Sequence, residues 1–220
     1  MIVVSHVKGH PLAGFGGAIK NLAMGCAPAA GKRDQHSPRP FINEEKCINC
    51  GRCVAKCPEA AIFITKDKAY IDQSLCVGCC ECITNCQQKA VELDWNAEIT
   101  PFMERMTEYA LGAVQGKQDK IGYINFLMNI TPDCDCFPWS DSAIVPDIGI
   151  LASTDPVAID KASYDLVNKQ IGFESSRLGC NHTSGEDKFK GLRDYTDSHI
   201  QITYGEKIGL GKSDYNLIEI

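Results

Sequence analysis

Apolar runs alternate with amphipathic stretches along this chain, which is the pattern of strands and helices in an α/β fold. Short apolar runs predict buried strands at residues 2–4, at 121–128, within 144–153 and at 200–204. Helical spacing of the apolar positions predicts helices over 18–24, 103–114 and 156–170. The last helix has a strong start, because Asp155 suits the N-cap and Pro156 the first helical position. We therefore predict a mixed-sheet α/β domain.

A glycine-rich segment, Gly14-Phe15-Gly16-Gly17, precedes the first predicted helix. A helix N-terminus behind such a loop can hold an anion. The spacing is neither that of a P-loop nor that of G-x-G-x-x-G after a strand, so it gives little support to nucleotide binding. The alternative is a tight turn that packs the helix on the sheet, and the sequence leaves both open.

Composition and charge argue against a membrane-spanning protein, a nucleic-acid-binding protein and a disulfide scaffold. The chain is 44% hydrophobic and 23% charged, as in an ordinary globular protein, and it has no apolar run near 18 residues and no basic leader. These features predict a cytoplasmic protein that does not span a membrane. A formal charge of −6 argues against a nucleic-acid partner. In a reducing compartment, 13 cysteines indicate metal binding or chemistry rather than disulfides.

Nine of the 13 cysteines lie between Cys47 and Cys86, and all of these except Cys80 form two runs of the form C-x2-C-x2-C-x3-C. The first run is Cys47, Cys50, Cys53 and Cys57, followed by Pro58, and the second is Cys76, Cys79, Cys82 and Cys86, followed by Gln87. An offset of 29 residues aligns the two runs and also aligns Ala61 with Ala90. The pattern predicts an internal repeat whose unit is a cysteine loop, a short helix and a strand.

This spacing is typical of a protein that binds two [4Fe–4S] clusters. Three thiolates two residues apart can occupy three corners of one cluster, and in two-cluster ferredoxins the fourth ligand comes from the other run. We therefore predict that one cluster is bound by Cys47, Cys50, Cys53 and Cys86, and the second by Cys76, Cys79, Cys82 and Cys57. A pair of zinc sites is the alternative, but zinc ligands come in pairs rather than as three with a remote fourth.

The cysteine runs predict a separate module within the α/β domain. Residues 42–95 resemble a bacterial two-cluster ferredoxin, and residues 1–41 and 96–220 form the predicted α/β domain around it. The predicted fold class is thus α/β with an inserted α+β module. Such a small unit has little apolar core, so bound clusters are expected to contribute to its folding.

Polar residues outside the cysteine runs form a second set of candidates. Two predicted strands are followed by histidines or cysteines, and the strand ends of α/β sheets are where ligands usually bind. The candidates for such a site are His6, His10, Lys20, His36, Cys134, Cys136 and Asp147. Thiolates and imidazoles could hold an additional metal, the polar groups could bind a small substrate, or they could only satisfy loop backbone. The sequence leaves these three alternatives open.

Four further residues are less easily assigned. Asp160 lies one turn into the helix capped by Asp155, where a structural role is favoured over acid–base chemistry. Cys80 is expected to be a free thiol beside the second cluster, with an exchange for Cys79 as ligand as the alternative. Cys180 is expected in a loop, and Cys26 has no predicted role.

Several motifs in order resemble the DUF362 family of Fe–S centre proteins. They cover nearly the whole chain and are Ser5-His6-Val7-Lys8-Gly9-His10, residues 14–25, Gly31-Lys32 with His36, Pro132-Asp133-Cys134-Asp135-Cys136, Asp147-Ile148-Gly149, residues 155–160 and Gly209-Leu210-Gly211. The resemblance implies an α/β protein with an inserted two-cluster ferredoxin-like module, as in anaerobic bacteria and archaea. Family members usually carry a further α/β region before the Ser-His segment, so the resemblance also suggests a short, truncated or split member.

Three functions are compatible with these features of the sequence. In the first, the two clusters relay electrons to a site in the α/β domain, as in a ferredoxin-linked oxidoreductase or one of its subunits. In the second, the chain is an electron carrier that docks on a partner ferredoxin or oxidoreductase, which its acidic charge suits. In the third, the extra thiols serve iron–sulfur or metal maturation. The sequence favours the first narrowly over the second, and both over the third.

Overall fold

The computed structural model describes residues 1–36, 40–65, 67–76, 81–93, 99–135 and 141–220. The chain forms two compact units, one of Met1–Pro28 with Ile99–Ile220 and one of Ala29–Glu98. The second unit starts before the predicted module boundary at residue 42, because a helix over residues 29–36 is counted with it. The first unit is mixed α/β in composition, as predicted.

The secondary structure follows in chain order. The strands are β1 (Ile2–His6), β2 (Lys8–His10), β3 (Gly14–Gly16), β4 (Pro40–Ile42), β5 (Ile62–Thr65), β6 (Lys68–Ile71), β7 (Val91–Leu93), β8 (Gly122–Leu127) and β9 (Gly149–Ser153). The α-helices are α1 (Ala18–Gly25), α2 (Ala29–His36), α3 (Arg52–Lys56), α4 (Glu81–Thr84), α5 (Ile99–Val114), α6 (Pro156–Asn168), α7 (Lys188–Leu192) and α8 (His199–Lys207). Within the described part of the chain, no helix is long and apolar enough to cross a membrane.

A three-stranded mixed sheet organises the first unit, with β8 at its centre. Strand β1 runs parallel to β8, and β9 pairs antiparallel on the other side. Helices α1 and α6 contact this sheet, and α5 and α8 pack behind α1 and α6. The buried core between them is apolar and includes Phe15, Ile19, Phe102, Met106 and Leu127. Strands β2 and β3 form a separate hairpin that carries the chain from β1 to α1.

The first strand is present but is not buried as predicted. Alternate residues of a strand point to opposite faces, and only the face covered by the helices is protected from water. Ser5 is 2% exposed, whereas Ile2 is 72% and Val4 57% exposed. Three consecutive apolar residues predict a strand buried on both faces, but in this structure the helices that contact the sheet cover only one.

The last predicted strand is wrong, because residues 200–204 lie in helix α8. The alternation of Ile200, Ile202 and Tyr204 suggested a strand. The buried positions are instead Gln201, Ile202 and Gly205, which lie on one face of a helix. Gln201 donates from Nε2 to the carbonyls of Ala13 (3.0 Å) and Phe15 (3.1 Å), so its burial depends on partners far away in sequence.

All three helix predictions are confirmed, because α1 covers the predicted residues 18–24 and the other two helices differ from the prediction at one end only. Helix α6 begins as predicted, because the Asp155 side chain accepts hydrogen bonds from the backbone N–H groups of Val157 (2.8 Å) and Ala158 (3.0 Å). Helix α5 starts at Ile99, earlier than the predicted residue 103. Its apolar face packs on α1 and contributes Phe102 and Met106 to the core.

The second unit contains two small antiparallel sheets, β4–β7 and β5–β6. Their registers repeat at the offset predicted from the cysteines. Pro40 faces Leu93 in the first sheet, and Ala69 faces Ile64 in the second. Pro40 corresponds to Ala69, and Ile64 corresponds to Leu93, each at an offset of 29 residues. The internal repeat is therefore present in the fold as well as in the sequence.

Candidate functional site

The two cysteine runs have matching local structure. The backbone N–H of Ala61 donates to the Cys57 sulfur (3.2 Å), and 29 residues later the N–H of Ala90 donates to the Cys86 sulfur (3.2 Å). A short helix precedes each of these cysteines, α3 before Cys57 and α4 before Cys86. These matching hydrogen bonds hold the two sulfur atoms at equivalent points of the repeat.

One cavity of the second unit is lined by four cysteines. They are Cys47, Cys50, Cys53 and Cys86, together with apolar neighbours that include Ile42, Ala69 and Val91. Three of the cysteines come from the first run, and Cys86 comes from the second. Gly51 lies between them in the left-handed region (φ 72°), a backbone conformation that glycine adopts at little cost. The cavity thus brings together the residues predicted for one cluster.

The other predicted ligand set is only partly described. Cys57 and Cys76 are half-buried and Cys82 is buried, whereas Cys79 and the neighbouring Cys80 lie outside the described residues. Among the residues that are described, no three His, Cys, Asp or Glu side chains converge closely enough to hold a single metal ion.

Burial raises the pKa of the Cys53 thiol, and the nearby Cys47 and Cys50 sulfurs act in the same direction. Without a bound cation, these three side chains repel each other once ionised. A positively charged metal centre removes that repulsion, and binding releases the thiol protons.

A buried carboxylate organises the glycine-rich segment of the first unit. Asp160, on α6, is fully buried and accepts hydrogen bonds from the backbone N–H groups of Ala18 (2.7 Å) and Ile19 (2.9 Å). It also accepts one from Nδ2 of Asn125 on β8 (2.8 Å). Asp160 thus connects α1, α6 and the central strand, which supports the structural role favoured by its position in the sequence.

This carboxylate also decides between the two interpretations of the glycine-rich segment. The first two N–H groups of α1 already donate to Asp160, so the anion at this helix N-terminus is part of the protein. A Cβ atom at Gly17 would lie 2.3 Å from Oδ1 of Asp160, which leaves space only for glycine. The segment is therefore a tight turn that packs the helix, and these amides are not available to a nucleotide phosphate.

We predict that the stabilising effect of Asp160 declines as pH rises. Burial raises its pKa to about 6, although three hydrogen bonds favour the charged form. Because the folded state holds the proton more tightly than the unfolded state, its contribution to stability is lost as pH rises through about 6. The difference in unfolding free energy between wild type and Asp160→Asn should fall by about 1 kcal/mol from pH 5 to pH 7. Urea denaturation at both pH values measures it, and a rising difference would contradict the assignment.

The ends of β1 and β8 bring several polar side chains together. Lys8 follows β1, is buried, and forms an ion pair with the exposed Asp135, which follows β8. Lys20 on α1 is partly buried, and this burial lowers its pKa, while Asp135 raises it and Lys8 lowers it. His6 lies at the same edge, with Nε2 2.5 Å from the Met128 carbonyl, and helps to lower the pKa of Asp135.

Two arginines from the C-terminal part of the chain bind the loop that follows β8. Asp133 is buried and pairs with Arg177 (2.9 Å) and with Arg193. Arg193 also donates to the carbonyl of Pro132 (2.9 Å). These bonds fix the residues that precede Asp135, so the C-terminal part of the chain positions this edge of the site.

Other predicted candidates lie elsewhere or have structural partners. His10 is buried against Phe102, with ring centroids 6.3 Å apart, and its Nδ1 accepts the N–H groups of Leu12 and Ala13. Asp147 is exposed and accepts the N–H of Asn129 (2.6 Å), which joins the two ends of the connection between β8 and β9.

The remaining candidates are mainly cysteines. Cys134 is buried and disulfide-bonded, which differs from the reduced thiols expected from the composition, whereas Cys26 and Cys180 are exposed free thiols. His36 ends α2, but its side chain, like the whole of Cys136, lies outside the described residues. Of the predicted candidates, His6 and Lys20 are therefore the two that the structure brings together, both near Asp135.

Sequence reasoning did not single out Lys8, Asp135, Asp133 and Arg193. Lys8 lies two residues after the end of β1, and the two aspartates flank Cys134, so their positions after predicted strands were available as a signal. Arg193 had none, because its partner Asp133 is 60 residues away in sequence.

Comparison with known proteins agrees with the order of the motifs. A search of curated proteins found no match to this chain. The family model for the domain of unknown function DUF362 matches residues 1–165, which is 165 of the 220 residues and includes Lys8, Lys20, Asp135, Asp160 and both cysteine runs. On this match, the chain belongs to the DUF362 family.

Proposed function

We propose that this protein is an iron–sulfur redox protein in which two [4Fe–4S] clusters deliver electrons to a site in the α/β unit. The observation that carries the proposal is the cavity lined by Cys47, Cys50 and Cys53 of one run and Cys86 of the other. That set matches the crossed ligation of two-cluster ferredoxins, in which the fourth cysteine of each run binds the other cluster. The second cluster is assigned to Cys76, Cys79, Cys82 and Cys57.

The chain supplies features that such clusters require. Bound [4Fe–4S] clusters would each accept and donate one electron. The N–H groups of Ala61 and Ala90 donate to ligand sulfurs and offset their negative charge. Apolar side chains such as Ile62 and Val91 pack around the buried cysteines and limit the access of water. Hydrogen bonds to sulfur and solvent access are two of the properties that set a cluster's potential.

The proposed recipient site lies at the ends of β1 and β8. Its described groups are His6, Lys8, Lys20 and Asp135, which can bind and orient a polar substrate and exchange protons with it. Reduction of most organic substrates consumes protons as well as electrons, and the His6 imidazole, which can both donate and accept a proton, lies at this edge.

Anaerobic metal analysis followed by a re-oxidation assay tests the proposal. The purified chain should contain about eight iron atoms, as two [4Fe–4S] clusters require. After reduction with dithionite and removal of the excess, a substrate should re-oxidise the clusters faster than buffer does, as followed by absorbance near 400 nm. An iron content near zero after anaerobic reconstitution would reject the cluster assignment. If the clusters form but no polar substrate re-oxidises them, the relay is rejected.

The acidic surface favours one alternative function, an electron carrier for a partner protein. A formal charge of −6, to which anionic clusters would add, suits docking on a basic partner ferredoxin or oxidoreductase. In that case the joint change His6→Ala and Cys134→Ala should leave electron transfer to the partner unchanged. A large loss of transfer in a folded, cluster-loaded variant would favour the relay instead.

A further inference from the structure

The edge of the α/β unit that carries His6 has more positive than negative charge. Lys8 is ion-paired with Asp135, and the Lys20 stem packs over Gly16, the residue that pairs with Lys8 in the β2–β3 hairpin, so two ammonium groups share one carboxylate. The nearest acidic neighbour of Asp135 in sequence, Asp133, is already paired with two arginines, and Asp141 lies 3.8 Å from one of them, Arg177. A local excess of positive charge is unexpected in a chain with a net charge of −6, and it points to an anionic ligand.

The two lysines differ in their accessibility and partners. The Lys8 side chain is only 9% exposed and its ammonium donates to Asp135, whose own side chain is 83% exposed. Lys20 is half-buried, yet among the described residues it has no hydrogen-bond or ion-pair partner. Holding an unpaired ammonium out of bulk water costs free energy, so a ligand that pairs with it would recover that cost.

The position of Lys20 is fixed by the structure beneath it. Ala18 and Ile19, immediately before it on α1, donate to the buried carboxylate of Asp160. The stem of Lys20 packs over Gly16, where an added Cβ would lie 3.3 Å from Cδ of the lysine. The same bonds remove the α1 N-terminus as an anion site, so recognition must come from the lysine side chains.

We propose that Lys20, together with Lys8, binds the carboxylate or phosphate group of a small anionic substrate at the ends of β1 and β8. Asp135 is then an internal competitor that holds Lys8 until the ligand arrives. Lysine binds such oxyanions as a point charge, without the fixed fork of arginine. This inference names the substrate class of the proposed recipient site and rests on that function for its role, but the binding itself needs no electron transfer.

An NMR titration of the full chain with its clusters oxidised tests the proposal. The probes are inorganic phosphate and acetate, each added at constant ionic strength, with the amide signals of Gly16 and Gly17 as reporters. We expect at least one probe to bind with a dissociation constant in the millimolar range, as for a single charged group (about −4 kcal/mol at 1 mM). Binding of phosphate alone indicates a phosphate-bearing substrate, and binding of acetate alone indicates a carboxylate.

Matched variants separate a specific site from general charge attraction. Lys20→Gln should weaken binding about tenfold, while Lys20→Arg should retain it and thereby exclude misfolding as the cause. Asp135→Asn should strengthen binding several-fold, because Lys8 loses its competing partner. Lys161→Gln is the control, since Lys161 pairs with Asp165 on the surface of α6 and should leave binding unchanged.

Two results would overturn the inference: no binding of either probe to the wild type, or equal binding by the wild type and a folded Lys20→Gln variant. Both are distinct from failure of the proposed function. If Lys20-dependent binding is present but no substrate re-oxidises the clusters, the relay fails and the anion site remains. If substrates do re-oxidise the clusters but the probe binds equally well to the wild type and to Lys20→Gln, the relay is supported and the proposed anion site is wrong.

Discussion

Replacing Asp160 by alanine is expected to lower the free energy of unfolding by about 4 kcal/mol, because each buried polar group left without a partner costs about 1–3 kcal/mol. Three donors lose their acceptor, namely the N–H groups of Ala18 and Ile19 and the side-chain amide of Asn125. Asn125 keeps its bond to Ser163 (2.9 Å), which reduces the penalty at that position. Urea denaturation of the cluster-loaded protein under argon, followed by circular dichroism, measures the change.

Two other variants sharpen this test. Asp160→Asn keeps the side-chain volume, but its amide NH2 group would face one of the N–H groups that now donate to Asp160. The free energy of unfolding is therefore expected to fall by about 2–3 kcal/mol. Asp165→Asn is the control, because the half-exposed Asp165 lies on the same helix, pairs with Lys161 and accepts from the Tyr215 hydroxyl (2.9 Å), a bond that an asparagine can also accept. Surface ion pairs contribute about 0–1 kcal/mol, so this variant should lose less than about 1 kcal/mol. Equal losses at the two positions would show that Asp160 does not organise the fold as argued.

Replacing Cys86 by alanine is expected to remove one cluster and leave the other. Cys86 belongs to the second run in sequence, but it lines the cavity that contains Cys47, Cys50 and Cys53. If ligation is crossed, the variant should lose the cluster of the first run, and iron should fall from about eight to about four atoms per chain. Iron and sulfide analysis with EPR of the reduced protein distinguishes the two clusters.

Paired variants test the crossing itself. Cys57→Ala should remove the other cluster, so the EPR spectra of the two variants should differ and together account for the wild-type signal. Cys180→Ala is the matched control, since its exposed thiol has only a long contact to the Gly191 carbonyl (3.9 Å). An unchanged iron content in Cys86→Ala, or an equal loss in Cys180→Ala, would reject the ligand assignment.

Much of the local structure follows from the sequence. The predicted N-cap of α6 is confirmed at Asp155. It could be predicted because the capping carboxylate and the N–H groups that donate to it are only two or three residues apart in the chain. The repeat of 29 residues is also confirmed, in strand register and in the N–H bonds to Cys57 and Cys86. The N-cap bonds and the bonds to the two sulfurs join residues only two to four positions apart in the chain.

The strand predicted at residues 200–204 and the burial predicted for β1 were both wrong because of contacts with parts of the chain that are distant in sequence. Residues 200–204 have a strand-like alternation, but Gln201 is buried because it reaches carbonyls of Ala13 and Phe15 nearly two hundred residues away. The face of β1 that carries Ile2 and Val4 is exposed because the helices that contact the sheet cover the other face, which no periodicity within the strand reveals.

Some features of the candidate site could likewise be predicted from the sequence, whereas others became visible only in the folded structure. The sequence alone determined the α/β class, the cysteine runs and their repeat, because spacing along the chain limits which thiols can share a cofactor. Only the tertiary structure decided that the anion at the start of α1 is Asp160, and that Lys8, Lys20 and Asp135 meet at one edge of the sheet. Both aspartates lie far along the chain from the β2 and α1 residues that they contact, and hydrogen bonds and charge pairs between such distant segments form only once the strands and helices have packed.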